Sequence, residues 1–212
     1  MGAVIEVIPV GPLAVNCSVV ADDNTGKAVI IDPGADAERI IEVAREFEVV
    51  GIVNTHGHID HVGQVKRVKE FFDVPFYLHR EDVYLIKDEI WSGFSAYINA
   101  EPCPEPDEFL EDGIEIEVGD LKMRVLHTPG HTPGLCCFYI EEESVLIAGD
   151  LLFKGSVGRT DLPGGDPEKM RRSLERVFTE LPDETLVICG HYEETTIGHE
   201  RKFNPYLRGG LM

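Results

Sequence analysis

Three imidazoles and a carboxylate fall within His56-Gly57-His58-Ile59-Asp60-His61, directly after the apolar run Val49-Val50-Gly51-Ile52-Val53. A chain that places this cluster at the end of a buried strand must fold so that the side chains meet something that accepts them. Imidazole nitrogen and carboxylate oxygen suit zinc, iron or manganese, and no thiolate is present to suggest a closed structural zinc site. His56 and His58 are two apart, as are His58 and Asp60, while Asp60 and His61 are adjacent. In a tight turn, alternating residues can face one point and the next pair a second, so the spacing suits one metal and suits two better.

The chain has 212 residues, enough to bury a sizeable core without staples. It carries 19 Lys+Arg against 39 Asp+Glu, a formal charge of −20. That balance disfavours sequence-independent nucleic-acid binding, which needs clustered cations against phosphates. The five cysteines, Cys17, Cys103, Cys136, Cys137 and Cys189, are odd in number and include no CxxC. A disulfide framework is not expected, and a reducing compartment fits better. No basic segment followed by an apolar one opens the chain, and no apolar run approaches membrane-spanning length. The expectation is a cytoplasmic protein that does not act at a membrane, a monomer or small homo-oligomer.

Apolar patterning predicts strands at Val4–Ile8, Cys17–Ala21 and Ala28–Ile31, with Asp22–Gly26 as a hairpin turn between the last two. Asp36–Glu48 reads as a helix capped by Asp36, Val50–Asn54 as a strand, His61–Phe72 as one helix and Pro75–His79 as a strand. Glu81–Lys87 reads as helical. Residues 89–112 scatter Trp91, Phe94, Tyr97 and Phe109 without a period and read as an irregular lid or binding loop. Strands resume at Ile114–Val118, Met123–His127, Cys136–Ile140 and Val145–Ala148. A helix over Pro167–Thr179 capped by Asp166, a strand at Leu186–Cys189 and a helix within Thr196–Asn204 follow. Adjacent Cys136 and Cys137 should face opposite sides of their strand. Strand runs followed by helices, once in each half, predict an α+β fold of two mixed β-sheets flanked by helices, in one domain over residues 1–212.

Three later segments repeat one pattern, an apolar strand ending in His or Asp among glycines and prolines. They are Val125–Gly134 with His131, Val145–Asp150, and Leu186–His191. Ligands on strand ends in stiff turns are well held, and the glycines before Asp150 and His191 permit close backbone approach. His127 is expected to hydrogen-bond near the site without binding metal, and Asp32 to cap its turn or touch the ligand loop. His79 and His199 read as structural or solvent-facing.

The set His56-x-His58-x-Asp60-His61, His131, Asp150 and His191 resembles the metallo-β-lactamase superfamily, in order over nearly the whole chain. The segments Gly155–Asp166 and Thr195–Pro205 resemble the short, single-domain glyoxalase II-type hydrolases. The resemblance implies an αββα metallo-β-lactamase sandwich and two divalent metal ions, zinc foremost, with iron or manganese as alternatives. It assigns His56, His58 and His131 to one ion and Asp60, His61 and His191 to the other, with Asp150 shared. Two departures stand out: the usual Gly-Pro after the last histidine is Tyr192-Glu193, and Leu135 stands where Ser is common. The long C-terminal helical domain of larger glyoxalase II enzymes has no counterpart in this sequence.

Two such ions lower the pKa of a bridging water, giving a nucleophilic hydroxide near neutral pH. Asp60 is the candidate catalytic residue, orienting the nucleophile and accepting its proton. The implied function is hydrolysis of a small-molecule thioester, S-D-lactoylglutathione or a similar one, because thiolate leaves without a strong general acid. Arg159, Lys154 and Tyr192 are candidate substrate contacts, and Arg159 is as well placed to pair with Asp161 or Asp166. The alternative is a mononuclear iron persulfide dioxygenase using His56, His131 and Asp150. A lactonase or β-lactamase, a nuclease and a non-catalytic metal-binding module fit the later motifs or the charge less well.

Overall fold

The computed structural model describes residues 2–87 and 92–208. Six strands form the first sheet, side by side in chain order: β1 (Ala3–Val10), β2 (Val15–Asp22), β3 (Lys27–Ile31), β4 (Glu48–Val53), β5 (Phe76–His79) and β6 (Glu108–Leu110). β1, β2 and β3 pair antiparallel through short turns, including the expected hairpin after Asp22. From β3 to β6 every pairing is parallel. Parallel neighbours need crossovers. They are supplied by α1 (Ala37–Ala44), then α2 (Ile59–Val62) and α3 (Val65–Phe72), then α4 (Val83–Ile86) and α5 (Ser92–Ile98).

The second sheet contains β7 (Glu115–Val118), β8 (Leu121–His127), β9 (Cys136–Ile140) and β10 (Val145–Gly149). A small hairpin, β11 (Leu152–Phe153) and β12 (Ser156–Val157), and α6 (Pro167–Glu180) precede β13 (Leu186–Cys189) and β14 (Thr195–Thr196). The sheet order is β14-β13-β10-β9-β8-β7, and only the β10–β13 pair is parallel. The chain closes its described part with α7 (Ile197–Phe203) and α8 (Pro205–Arg208).

Burial explains the layering. Val20, Ile31 and Val53 of the first sheet pack with Val125, Phe138 and Ile147 of the second. Behind the first sheet, Ile30 and Ile52 pack with Ile40, Val65 and Val68 of α1 and α3. Behind the second, Leu126, Tyr139 and Leu146 pack with Met170, Leu174 and Val177 of α6. The result is helix, sheet, sheet, helix, the expected α+β sandwich. It also explains Cys136 and Cys137. They do face opposite sides, one toward the opposing sheet and one toward α6, and both are fully buried because both sides are covered.

Several local expectations are corrected. Asp36 sits at the α1 N-cap position with φ 51° and makes no capping bond; its carboxylate accepts from the Gly11 amide at 2.8 Å instead. That helix ends at Ala44, and Glu48 already belongs to β4. The single helix expected over 61–72 is two, because the Gln64 amide donates to the Pro33 carbonyl at 2.9 Å rather than continuing the first turn. Within the segment expected to be irregular lie α5 and β6. Asp166 does cap α6, accepting from the Glu168 and Lys169 amides. Trp91 lies outside the described residues.

Candidate metal centre

The seven histidines and aspartates singled out by sequence come together at the ends of β4, β8, β10 and β13. His56 and His58 follow β4, and α2 carries Asp60 and His61. His131 lies in the β8–β9 turn, Asp150 just after β10 and His191 just after β13. β10 and β13 run parallel, so Asp150 and His191 emerge at the same edge. A register shift between Ile147 and Gly149 re-aims the chain there. Gly149 has φ 48°, and a side chain on Gly190 would collide with Asp150 Oδ1. Both positions therefore need glycine, as the close approach of backbone to ligand requires.

Two groups form. His56 Nε2 is 3.1 Å and His131 Nε2 2.9 Å from His58 Nδ1. His61 Nε2 is 3.3 Å from His191 Nε2, and Asp60 Oδ2 is 3.5 Å from the latter. Asp150 stands between them, Oδ1 3.4 Å from His61 Nε2 and Oδ2 3.4 Å from His131 Nε2.

The outward nitrogens fix the tautomers. His131 Nδ1 donates to the Arg159 carbonyl at 2.7 Å and His191 Nδ1 to the Leu13 carbonyl at 3.0 Å. His61 Nδ1 pairs with Asp32 Oδ2 at 2.8 Å. His56 Nδ1 lies 3.0 Å from the Thr55 hydroxyl, which donates to Asp32 Oδ2. Their Nε2 atoms thus point inward at one another, as ligands gathered around a cation do. Asp150 Oδ1 is buried and makes no hydrogen bond. This donor set fits divalent metal ions.

Electrostatics follow from the crowding. Burial, then the neighbouring imidazoles, hold His56 well below the usual histidine range, and burial with His131 brings His58 down to about 3. Burial also opposes charge on His61, but Asp150, Asp32 and Asp60 outweigh it and raise that ring to about 10. Burial alone would raise the Asp150 carboxyl; His61 and the other imidazoles hold it below the carboxylate range.

Two buried carboxylates support the ligands. Asp32 accepts from the Thr55 amide at 2.7 Å and hydroxyl at 2.6 Å as well as from His61, so it touches the ligand loop directly. Asp32→Asn is expected to weaken metal binding by about 10- to 100-fold, read as the chelator concentration that strips half the metal. Asp82 was not legible in the sequence. It is fully buried beside α4 and accepts from the Gly57 amide, the Thr132 hydroxyl and the Gly134 amide, joining the first ligand loop to the His131 loop. In the sequence it ends a charged run, His79-Arg80-Glu81-Asp82, that reads as surface.

The centre floors a cavity of about 880 Å³ lined also by Phe94, Phe153, Lys154, Arg159 and Tyr192. Arg159 forms a bidentate pair with Asp161 at 2.7 and 2.8 Å, not with Asp166. Tyr97 is exposed, and Phe109 lies under the Arg80 guanidinium. His127 donates to the Pro133 carbonyl in the His131 loop and stacks on His79 at 4.1 Å. The two rings are 15° from parallel, which sends their lone pairs side by side rather than to one point. His199 is half exposed on α7.

A four-layer sandwich with His and Asp gathered at one edge of its sheets defines a metal-binding fold class, and the comparisons agree. Residues 10–191 match the metallo-beta-lactamase superfamily, and the chain belongs to it. Hydroxyacylglutathione hydrolase GloC of Haemophilus influenzae is 37% identical, covering 96% of this chain and 97% of its own. The crystal structure of BLEG-1 B3 metallo-beta-lactamase superposes with a TM-score of 0.87 at 38% identity, over 96% of this chain and 99% of that one. The structure of TTHA1623 in a di-iron-bound form gives 0.86 at 38% identity, over 95% and 100%.

Proposed function

We propose that the protein is a thioester hydrolase that cleaves S-D-lactoylglutathione or a similar acyl thioester with two divalent ions, zinc foremost and iron or manganese as alternatives. The observation that carries this reading is the convergence of seven His and Asp side chains at the floor of a cavity large enough for such a molecule. The likeness to GloC supports it. His56, His58 and His131 would hold one ion, Asp60, His61 and His191 the other, with Asp150 shared. When bound, such ions supply an activated water and polarise a carbonyl.

The chain's own residues do the rest. Asp60, whose Oδ2 faces His191 and which lines the cavity, orients the attacking water and takes its proton. The water oxygen bonds to the acyl carbon, the C–S bond breaks and thiolate leaves, which needs no strong acid. Tyr192, Lys154 and Arg159 contact the thiol portion, with Arg159 also fixing His131 through its carbonyl. The reading includes one domain over residues 1–212, a cytoplasmic location consistent with five unpaired cysteines, and action on small molecules rather than on nucleic acid or membranes.

Elemental analysis of purified protein, coupled to turnover of a thioester panel with a β-lactam and glutathione persulfide as controls, tests it. Two metals per chain with release of free thiol is the expected result. One iron per chain with oxygen uptake on the persulfide, or β-lactam turnover without thioesterase activity, would replace the reading.

A further inference from the structure

Among the described residues, the cationic side chains other than histidine that line the cavity are Lys154 and Arg159, and both already have partners. Arg159 holds Asp161, which stands outside the cavity wall. Lys154 Nζ lies 2.5 Å from Glu193 Oε2, and Glu193 lines the same cavity. The surrounding wall is apolar: Leu13, Phe94, Phe153, Val157 and Leu162.

Both halves of the Lys154–Glu193 pair sit on turns anchored from beneath. Lys154 occupies the turn between β11 and β12, where the Gly155 amide donates to Glu200 Oε2 at 2.9 Å. Glu200 is fully buried and also accepts from the Thr195 hydroxyl and the Asn204 amide. On the other side, the buried Asn16 amide donates to the Cys189 and Tyr192 carbonyls, each at 2.9 Å. Tyr192 takes φ 65°, a conformation that bulky residues avoid. That turn carries Glu193 over Lys154. Strain kept beside a site points to a role for the residues it positions.

We propose that Lys154 is the carboxylate anchor of the cavity and that Glu193 is its displaceable occupant. The inference rests on the thioester reading and deepens it: the substrate class is an acyl thioester whose thiol portion bears a carboxylate. In the free protein Glu193 satisfies Lys154. An incoming carboxylate exchanges with it, and the exchange is shallow because exposed ion pairs contribute little net energy. Glu193 then competes with the substrate and sets how far the cavity favours charged over uncharged thiol portions.

The test uses the metal-loaded protein and S-methylglutathione, which has the carboxylates but no scissile thioester, beside its dimethyl ester. Calorimetric titration is expected to show Glu193→Gln binding S-methylglutathione about 5-fold tighter than wild type and Lys154→Met about 5-fold weaker. The dimethyl ester should gain nothing from Glu193→Gln. Equal affinities for S-methylglutathione in wild type and Glu193→Gln, binding by neither, or a tightening shared by the ester would overturn the proposal. Turnover of S-D-lactoylglutathione by wild type is measured in parallel. Absent turnover with the expected titration removes the thioester reading alone, and turnover with a flat titration removes the exchange alone.

Discussion

Asp150→Asn is expected to lower kcat/KM for the proposed thioester substrate by about 10³-fold or more, equivalent to ~4 kcal/mol of transition-state stabilisation. Its metal content should fall with the activity. The reason is position. One carboxylate oxygen faces His61 at 3.4 Å, while the other faces His131 at 3.4 Å and His191 at 3.6 Å. A carboxylate can offer an anionic oxygen to each group at once. Asparagine keeps the shape but offers one neutral oxygen, and turns an N–H₂ toward the other group, where a cation cannot use it. The backbone turn rests on Gly149 and Gly190 and is unchanged by the substitution, so circular dichroism should match wild type. Elemental analysis and steady-state kinetics on the same preparation check the prediction. A variant that keeps two ions and near-wild-type turnover would show that Asp150 is not shared.

The side chains that gather were legible as candidates because His56, His131, Asp150 and His191 follow apolar strands among glycines and prolines, and Asp60 and His61 lie within five residues of the first of them. The strands were legible for the same reason, through the apolar runs that become β2, β9 and β10. Local chemistry failed where a distant group competed for it. Asp36 has the side chain of a helix cap, yet the Gly11 amide, far away in sequence, takes its carboxylate. The helix expected over 61–72 breaks where Gln64 turns to Pro33. The parallel pairing of β3 to β6 depends on where α1 to α5 cross over, which apolar periodicity does not record. Cys136 and Cys137 show both sides: alternation gave their opposed directions, while their common burial needed the second cover. The buried carboxylates were the least legible. Asp82 and Glu200 carry charges that a local pattern assigns to solvent, and each accepts from a distant loop, Asp82 from Gly134 and Glu200 from Gly155.

Asp82→Ala is expected to cost about 3 kcal/mol of stability and to weaken metal binding by about 10- to 100-fold. The carboxylate is fully buried, and burial pushes its pKa up against the three donors that favour the charged form. Removing it leaves the Gly57 amide, the Thr132 hydroxyl and the Gly134 amide without their acceptor in a space closed to solvent. Gly57 lies between His56 and His58 on one loop, and Thr132 and Gly134 follow His131 on the other. His58 Nδ1 and His131 Nε2 are only 2.9 Å apart, so a small relative shift of the two loops opens the first group. Asp82→Asn separates packing from bonding. It fills the same volume, but its N–H₂ must face either Gly134 or the Gly57–Thr132 pair, and donor then meets donor. The asparagine variant should therefore lose metal affinity while losing less stability than the alanine variant. Thermal unfolding of metal-free protein reads stability, and chelator competition reads metal affinity. Equal metal affinity in wild type and both variants would make Asp82 a packing residue of the β5–α4 turn, because a clamp between the ligand loops cannot be removed without moving the ligands.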